Sequence, residues 1–373
     1  MEFITDLFSN LVFEGLFALV LAFVLSVKIH PVIICLEIEK NLMAEPGFRS
    51  SHSIKTPNLG GVGLFIVFSI CILALASVFG LEQPEFKRLS IMLASTSIMF
   101  FLGVKDDLIG LSPKKKMIGQ TIAAMLVILL TDVRIRSFEG IFGIHELPYI
   151  FSVVFTISIF IFLINSFNLI DGIDGLAGSI SIISSLIFGL IFFQGGDHFL
   201  TLVSFILVGA MSGFLIYNFS EKRKLFMGDS GSLFVGFLLS FQAICFLNFH
   251  AIDKVNAVTW SNTPILILAI LSFPVFDAFR VVIIRLYHRE NPLAADRNHL
   301  HHRLIDLGLS HKMATLIIAG VNIMIIGLAF VLSSTSININ IQLLILVVVV
   351  PGLGLLPDFI SLRKGRQEFE YNG

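Results

Sequence analysis

Apolar runs close to the roughly 20 residues that a helix needs to cross a bilayer recur along this whole chain. They are Leu11–Cys35, Leu59–Gly80, Leu89–Val104, Met117–Thr131, Tyr149–Asn165, Leu176–Phe193, Phe199–Phe219, Ser232–Asn248, Pro264–Tyr287, Ala314–Ser333 and Ile341–Leu356. In hydrocarbon, backbone N–H and C=O groups must be paired within a helix or around a closed barrel. The short alternating strands of a β-barrel are absent. The chain therefore reads as an all-α, polytopic integral membrane protein with about eleven transmembrane helices. One membrane domain over residues 1–373 is the simplest organisation, because no fixed-period repeat and no low-complexity linker is visible. Composition agrees: 56% of residues are hydrophobic and 14% charged, too little charge to cover a soluble domain of this length.

Glu2 and Asp6 precede the first run, with no Lys or Arg among the first ten residues. That is the wrong flank for a cleaved signal peptide, so the first run is expected to remain as a span. Cys35, Cys71 and Cys245 are odd in number and lie in or beside apolar runs. They read as small core residues rather than a disulfide framework.

Net charge is −1, so bulk charge names no partner, and no nucleic acid is expected. The distribution is more telling. With eleven spans the loops alternate sides, and 20 of the 25 Lys and Arg residues fall on one side. The positive-inside rule makes that side cytoplasmic, with the N-terminus outside and the C-terminus inside.

Every unusual polar stretch falls on that same side. These are HSIKTPNLGGVG from His52, VKDDLIGLSPKKK from Val104, NSFNLIDGIDGLAGS from Asn165, FMGDSGS from Phe226 and NPLAADRNHLHHRL from Asn291. A transporter would need polar groups near the midplane and access from both faces. A one-sided cluster suits an enzyme that meets a water-soluble substrate at the cytoplasmic surface.

Each stretch also has a plainer reading. Asp106-Asp107 could be a solvated turn, although adjacent carboxylates repel unless a cation or a proton relieves them. Lys114, Lys115 and Lys116 also suit a positive-inside anchor touching anionic lipid. FMGDSGS reads as a helix entry with Asp229 or Ser230 as N-cap; equally, exposed N–H groups suit phosphate and Asp229 suits a hard cation. His299, His301 and His302 with Arg297 lack zinc-site spacing and favour a cationic cradle for a diphosphate. NLIDGIDG lacks the EF-hand spacing. Its Asp171 and Asp174 would share a face if the stretch begins a helix, and Gly172 and Gly175 would allow close approach. Together the carboxylates, amide, lysines, histidines and Gly-rich helix starts suit Mg²⁺-assisted chemistry on a phosphate or diphosphate. The membrane setting adds a lipid substrate.

Five motifs in order, HSIKTPNLGG, DDLIGLSPKKKMIGQ, NSFNLIDGIDGLAG, FMGDSGS and DRNHLHH, resemble those of the polyprenyl-phosphate N-acetylhexosamine-1-phosphate transferases. The resemblance spans almost the whole chain, and the last motif resembles the WecA/TagO branch rather than the MraY branch. It implies transfer of a sugar-1-phosphate, GlcNAc-1-phosphate first among candidates, from a UDP-N-acetylhexosamine to undecaprenyl phosphate, with release of UMP. It implies Mg²⁺ as cofactor with Mn²⁺ as substitute, a bacterial inner (cytoplasmic) membrane location, contact with membrane lipid and a homodimer. Carried onto this sequence, it makes Asp229 the principal metal ligand and Asn168 the second. Asp171 and Asp174 become active-site carboxylates, and Asp106 and Asp107 the aspartate pair, with Asp106 the base for the lipid phosphate. Because a phosphate monoester has a second pKa near roughly 6, orientation would be the larger role of that pair. Lys116, His52, Arg297, His299, His301 and His302 would contact substrate. The rival readings are an MraY-type enzyme, a transporter or flippase, and a catalytically dead scaffold.

Overall fold

The computed structural model describes residues 11–42, 56–248, 262–289 and 299–355. Among them the chain forms α1 (Leu11–Lys40), α2 (Gly60–Phe79), α3 (Gln83–Ile109), α4 (Pro113–Thr131), α5 (Tyr149–Ile170), α6 (Leu176–Gly195) and α7 (His198–Asn218). It continues with α8 (Gly228–Leu247), α9 (Thr263–Ile270), α10 (Ser272–Tyr287), α11 (Leu300–Asp306), α12 (His311–Ser333) and α13 (Ile339–Gly354). No strand is present among the described residues; an antiparallel bridge joins Ser137 to Glu146.

Each expected span coincides with a helix, the ninth with the bent pair α9–α10. Among the described residues, α1, α2, α3, α5, α6, α7, α8 and α12 qualify as membrane spans by length and composition, and the pair bent by 74° would make nine. The other two differ for identifiable reasons: α4 carries three lysines in its first turn, and α13 has only 16 residues. The outer surface is apolar, as a lipid-facing surface must be. Leu16, Val20 and Val24 line one exposed stripe of α1, and Leu344, Val347 and Val348 do the same on α13. The chain is a multi-pass helical membrane protein.

The bundle is organised around α8, whose apolar stretch is 94% buried, with α2, α3, α5 and α6 against it. Small residues allow this. Gly61 of α2 lies against Gly231, Gly103 of α3 against Ser230, and Gly236 against Ile164 of α5. A Cβ at Gly103 would overlap the Ser230 backbone. Gly103→Leu is therefore expected to keep α3 and α8 from closing, since overpacking of this kind costs about 1–3 kcal/mol or more. Size-exclusion profile and melting temperature in detergent measure it; a monodisperse variant melting like wild type would contradict it.

The α9–α10 break is held by α12. Asn322 accepts from the Ser272 hydroxyl (3.1 Å) and the Phe273 N–H (3.4 Å), and its amide donates to the Ile270 carbonyl (3.4 Å). One side chain thus serves the backbone groups that a broken helix orphans.

The two ends of the bundle differ. One end carries short staples, Arg88–Asp197 (3.0 Å) and His198–Glu14 (3.0 Å). At the other end, α3, α5 and α7 finish while α2, α4, α6 and α8 begin, and the polar motifs meet there.

Candidate active site

Hydropathy ends each span where polar residues begin, but the helices run on. Asp106 and Asp107 lie in the last turns of α3, not in a loop, and Lys114–Lys116 open α4, so Gly110–Ser112 is the whole connection. Asn165 and Asn168 belong to α5. Asp171 to Gly175 form an irregular turn before α6, so the two aspartates share no helix face. Gly175 has φ +77° and lies against the Phe219 ring, with no room for a Cβ.

Asp229 sits in the first turn of α8, whose N-cap is Met227 rather than Asp229 or Ser230. Asp107 caps this helix from α3 instead: its carboxylate accepts the N–H groups of Asp229 (2.8 Å) and Ser230 (2.9 Å). A charged acceptor at a helix N-terminus satisfies orphan donors and favours the dipole. The other flank of the loop pairs with the segment before α2. Phe226 N–H donates to Pro57 (2.8 Å), Gly60 N–H to Phe226 (3.0 Å) and Gly61 N–H to Met227 (2.9 Å). Glu37 of α1 accepts from Asn58 N–H (2.8 Å) and Leu59 N–H (3.1 Å), holding that segment from behind.

Lys116 stands at the centre. Its ammonium pairs with Asp229 (2.8 Å) and also with Asp106. Asp106 additionally accepts from Leu111 N–H (2.5 Å), fixing the turn into α4. The Asn168 amide donates to Asp229 (2.5 Å) and to the Ser232 hydroxyl (2.8 Å). Burial, then the charges of Asp229, Asp107 and Asp174, push the Asp171 carboxyl well above the usual range. Asp174 turns the other way, pairing with Lys224 (2.5 Å) and His311 (3.2 Å). Burial would raise it, but His311 and Lys224 outweigh that and hold it below its ordinary value.

Four carboxylates thus gather here: Asp106 and Asp229 on the Lys116 ammonium, Asp107 on the Asp229 and Ser230 amides, and Asp171 within the field of Asp229 and Asp107. The set is rich in hard oxygen donors and in negative charge, which fits a hard divalent cation. Among the described residues no three His, Cys, Asp or Glu already form a metal cage. Mg²⁺ commonly takes one or two carboxylates and completes its shell with water and substrate phosphates, so the donor set fits that ion. Asn168 would join it as a ligand with the amide reversed, oxygen towards Asp229.

The histidine motif lies beside this group. His301 is fully buried, and neither ring nitrogen has a hydrogen-bond partner. Burial lowers its pKa to about 3, so it is neutral and adds no charge to a cationic cradle. Its ring lies against Gly172, where a Cβ would collide with Nε2. It stacks on His299 (centroids 5.6 Å, 13°) and touches His302 (4.3 Å). His52 and Arg297 lie outside the described residues.

Sequence reasoning missed Lys224, His311 and Asn218. Asn218 accepts the Gly175 N–H (2.6 Å) and donates to the Leu225 carbonyl (2.9 Å), tying the Asp171–Gly175 turn to the loop before α8. It also missed Asp277 within the ninth span. An ionisable group inside an apolar run was the available signal for Asp277.

Known proteins resemble this one in the same region and beyond it. The glycosyl transferase family 4 profile matches residues 89–247, from α3 to the end of α8. A probable undecaprenyl-phosphate N-acetylglucosaminyl 1-phosphate transferase of Bacillus subtilis is 30% identical over 332 residues, 87% of each chain. A decaprenyl-phosphate N-acetylglucosaminephosphotransferase of Mycolicibacterium smegmatis is 29% identical, covering 76% of this chain and 73% of its own. An undecaprenyl-phosphate alpha-N-acetylglucosaminyl 1-phosphate transferase of Salmonella typhi is 28% identical over 75% of this chain and 74% of its own. With one of these relatives matched at this identity along nearly its full length, the chain belongs to the polyprenyl-phosphate N-acetylhexosamine-1-phosphate transferases of glycosyl transferase family 4.

Proposed function

We propose that the protein transfers N-acetylhexosamine-1-phosphate, GlcNAc-1-phosphate first among candidates, from a UDP-sugar to undecaprenyl phosphate. A lipid phosphate oxygen attacks the β-phosphorus of the donor, the bond from that phosphorus to the bridging oxygen breaks, and UMP leaves. The product is undecaprenyl-diphosphate-sugar, the first membrane intermediate of a cell-surface polysaccharide. The names of the relatives support the acceptor and the transferred group. The observation that carries the reading is the meeting of Lys116, Asp106, Asp107, Asn168 and Asp171 about Asp229 at one end of the bundle.

Two anionic substrates must approach each other, so catalysis is mainly positioning and charge neutralisation. Mg²⁺, held by Asp229 and Asn168, would supply Lewis-acid stabilisation of charge developing on the donor diphosphate. Lys116, now shared between Asp106 and Asp229, is placed to exchange a carboxylate for a substrate phosphate. Asp106 orients the acceptor, and the turn Asp171–Gly175 with the histidine motif receives the UDP-sugar. The orientation that fits is eleven spans with the N-terminus outside and the site at the cytoplasmic face of the bacterial inner membrane, where UDP-sugars are available. A homodimer is part of the same reading.

The test uses purified protein in detergent with undecaprenyl phosphate, Mg²⁺ and a panel of UDP-sugars offered singly. UMP release and a diphosphate-linked lipid product of matching mass are expected from a UDP-N-acetylhexosamine. No UMP from any donor would overturn the reading, and is what a transporter or scaffold would give.

A further inference from the structure

Asp277 lies on α10, past the break in the ninth span, and is fully buried. A carboxylate taken out of water in this way is costly unless both oxygens are satisfied. Here both are. One oxygen accepts from His299 Nδ1 (2.8 Å), the other from the Leu300 N–H (2.8 Å). His299 is the N-cap of α11, but its own side chain makes no capping bond. Asp277 therefore does two things at once: it caps α11 from a different helix, and it grips the ring of the residue that begins it.

This grip has chemical content. A carboxylate only accepts, so the His299 proton resides on Nδ1, and the ring cannot turn over without losing the bond. The fixed ring is the platform on which His301 stacks (5.6 Å, 13°), and His301 in turn abuts Gly172. A continuous line of contacts thus runs from Asp277, through two imidazoles, to the Asp171–Gly175 turn. The origin of that line is itself fixed, because Asn322 holds the start of α10 at Ser272 and Phe273.

We propose that Asp277 is a positioning residue for the UDP-sugar donor, holding His299 in its Nδ1-protonated form and setting the histidine stack against the Asp171–Gly175 turn. The donor role rests on the function proposed above; the ring geometry does not. Asp277 touches no reacting atom. Its removal should act on donor affinity before it acts on the chemical step.

The experiment compares wild type, Asp277→Asn, Asp277→Ala, His299→Gln and the Asp277→Asn/His299→Gln double variant in detergent. Three quantities are read: UDP affinity by calorimetry, KM and kcat for the donor, and the His299 signals of protein carrying ¹⁵N-histidine. Wild type is expected to show His299 protonated at Nδ1, and Asp277→Asn to lose that single form. Donor KM and UDP Kd should rise about tenfold in Asp277→Asn and further in Asp277→Ala, with kcat changed less. The double variant should be no worse than the weaker single variant, the non-additivity expected of residues acting as one unit. A merely structural Asp277 would lower melting temperature and the folded fraction while leaving KM untouched and effects additive, and that result would overturn the proposal. So would a wild-type His299 carrying its proton on Nε2 alone, whether or not UDP binds. Failure of wild type to bind UDP, with His299 protonated at Nδ1, would overturn the donor role together with the proposed reaction.

Discussion

Asp229→Ala is expected to abolish UMP release while leaving the protein folded, with a melting temperature close to that of wild type. The first part follows from position. Asp229 is the carboxylate that α8 presents where Lys116 (2.8 Å) and Asn168 (2.5 Å) converge, and the donor set there fits a hard cation. Losing a preorganised electrostatic group of this kind costs on the order of 10²–10³ in rate, and loss of a metal ligand more. The second part follows from charge. Truncation gives up the pairing with Lys116 and Asn168, but Asp229 also heads the carboxylates that push Asp171 upwards. Its side chain is 30% exposed, so truncation opens no sealed cavity, and it removes one of the repelling charges. Activity and stability should therefore part company. The measurements are UMP release against Mg²⁺ concentration and thermal melting with and without Mg²⁺; wild type should be stabilised by the ion and the variant not. Wild-type-like rates at limiting Mg²⁺ would remove Asp229 as a ligand.

Much of the architecture was legible because membrane helices announce themselves one at a time. Each apolar run carries its own signal, and all of the expected runs are helical. The errors lie at one end of the bundle and share a cause. Asp106, Asp107 and Asn168 read as loop because hydropathy falls there, yet α3 and α5 continue through them. A polar helix end is stable when its side chains face other polar helix ends, and that facing is a tertiary fact. The same limit hid the partners. Asp174 and Lys224 are 50 residues apart, and His311 is further still. Nothing local distinguishes Lys224 from its neighbours Lys222 and Arg223, which suit a positive-inside anchor equally well. Glu37 falls just past the expected end of the first span at Cys35. It is buried and spends its carboxylate on two backbone amides of a segment 21 and 22 residues away. The resemblance singled out Asp106, Asp107, Lys116, Asn168 and Asp229, which the fold brings together, but not their division of labour.

That division is sharpest in the aspartate pair, and it yields the second large effect. Asp106 faces Lys116, whereas Asp107 faces backbone, the amides of Asp229 and Ser230. Gly228 has φ +68° and brings its Cα so close that a Cβ would sit 2.8 Å from an Asp107 oxygen. Asp107→Ala should thus unseat the first turn of α8 and with it Asp229. A lost helix cap costs about 0.5–2 kcal/mol, and each buried amide left without a partner about 1–3 kcal/mol, so destabilisation of roughly 2 kcal/mol or more is expected. Activity should fall on the order of 10²-fold, the scale of a small displacement of a catalytic group. Asp107→Asn keeps one acceptor oxygen and should fall between Ala and wild type in both stability and rate. Asp106→Asn should differ in kind, losing rate with little change in melting temperature, because it gives up a partner of Lys116 and not the seat of a helix. The measurement is UMP release alongside melting temperature for all three variants. If Asp107→Ala lost activity while melting like wild type, Asp107 would belong with Asp106 in the chemistry. If it kept both, the α8 N-terminus would be held by its glycine contacts with α2 and α3 alone.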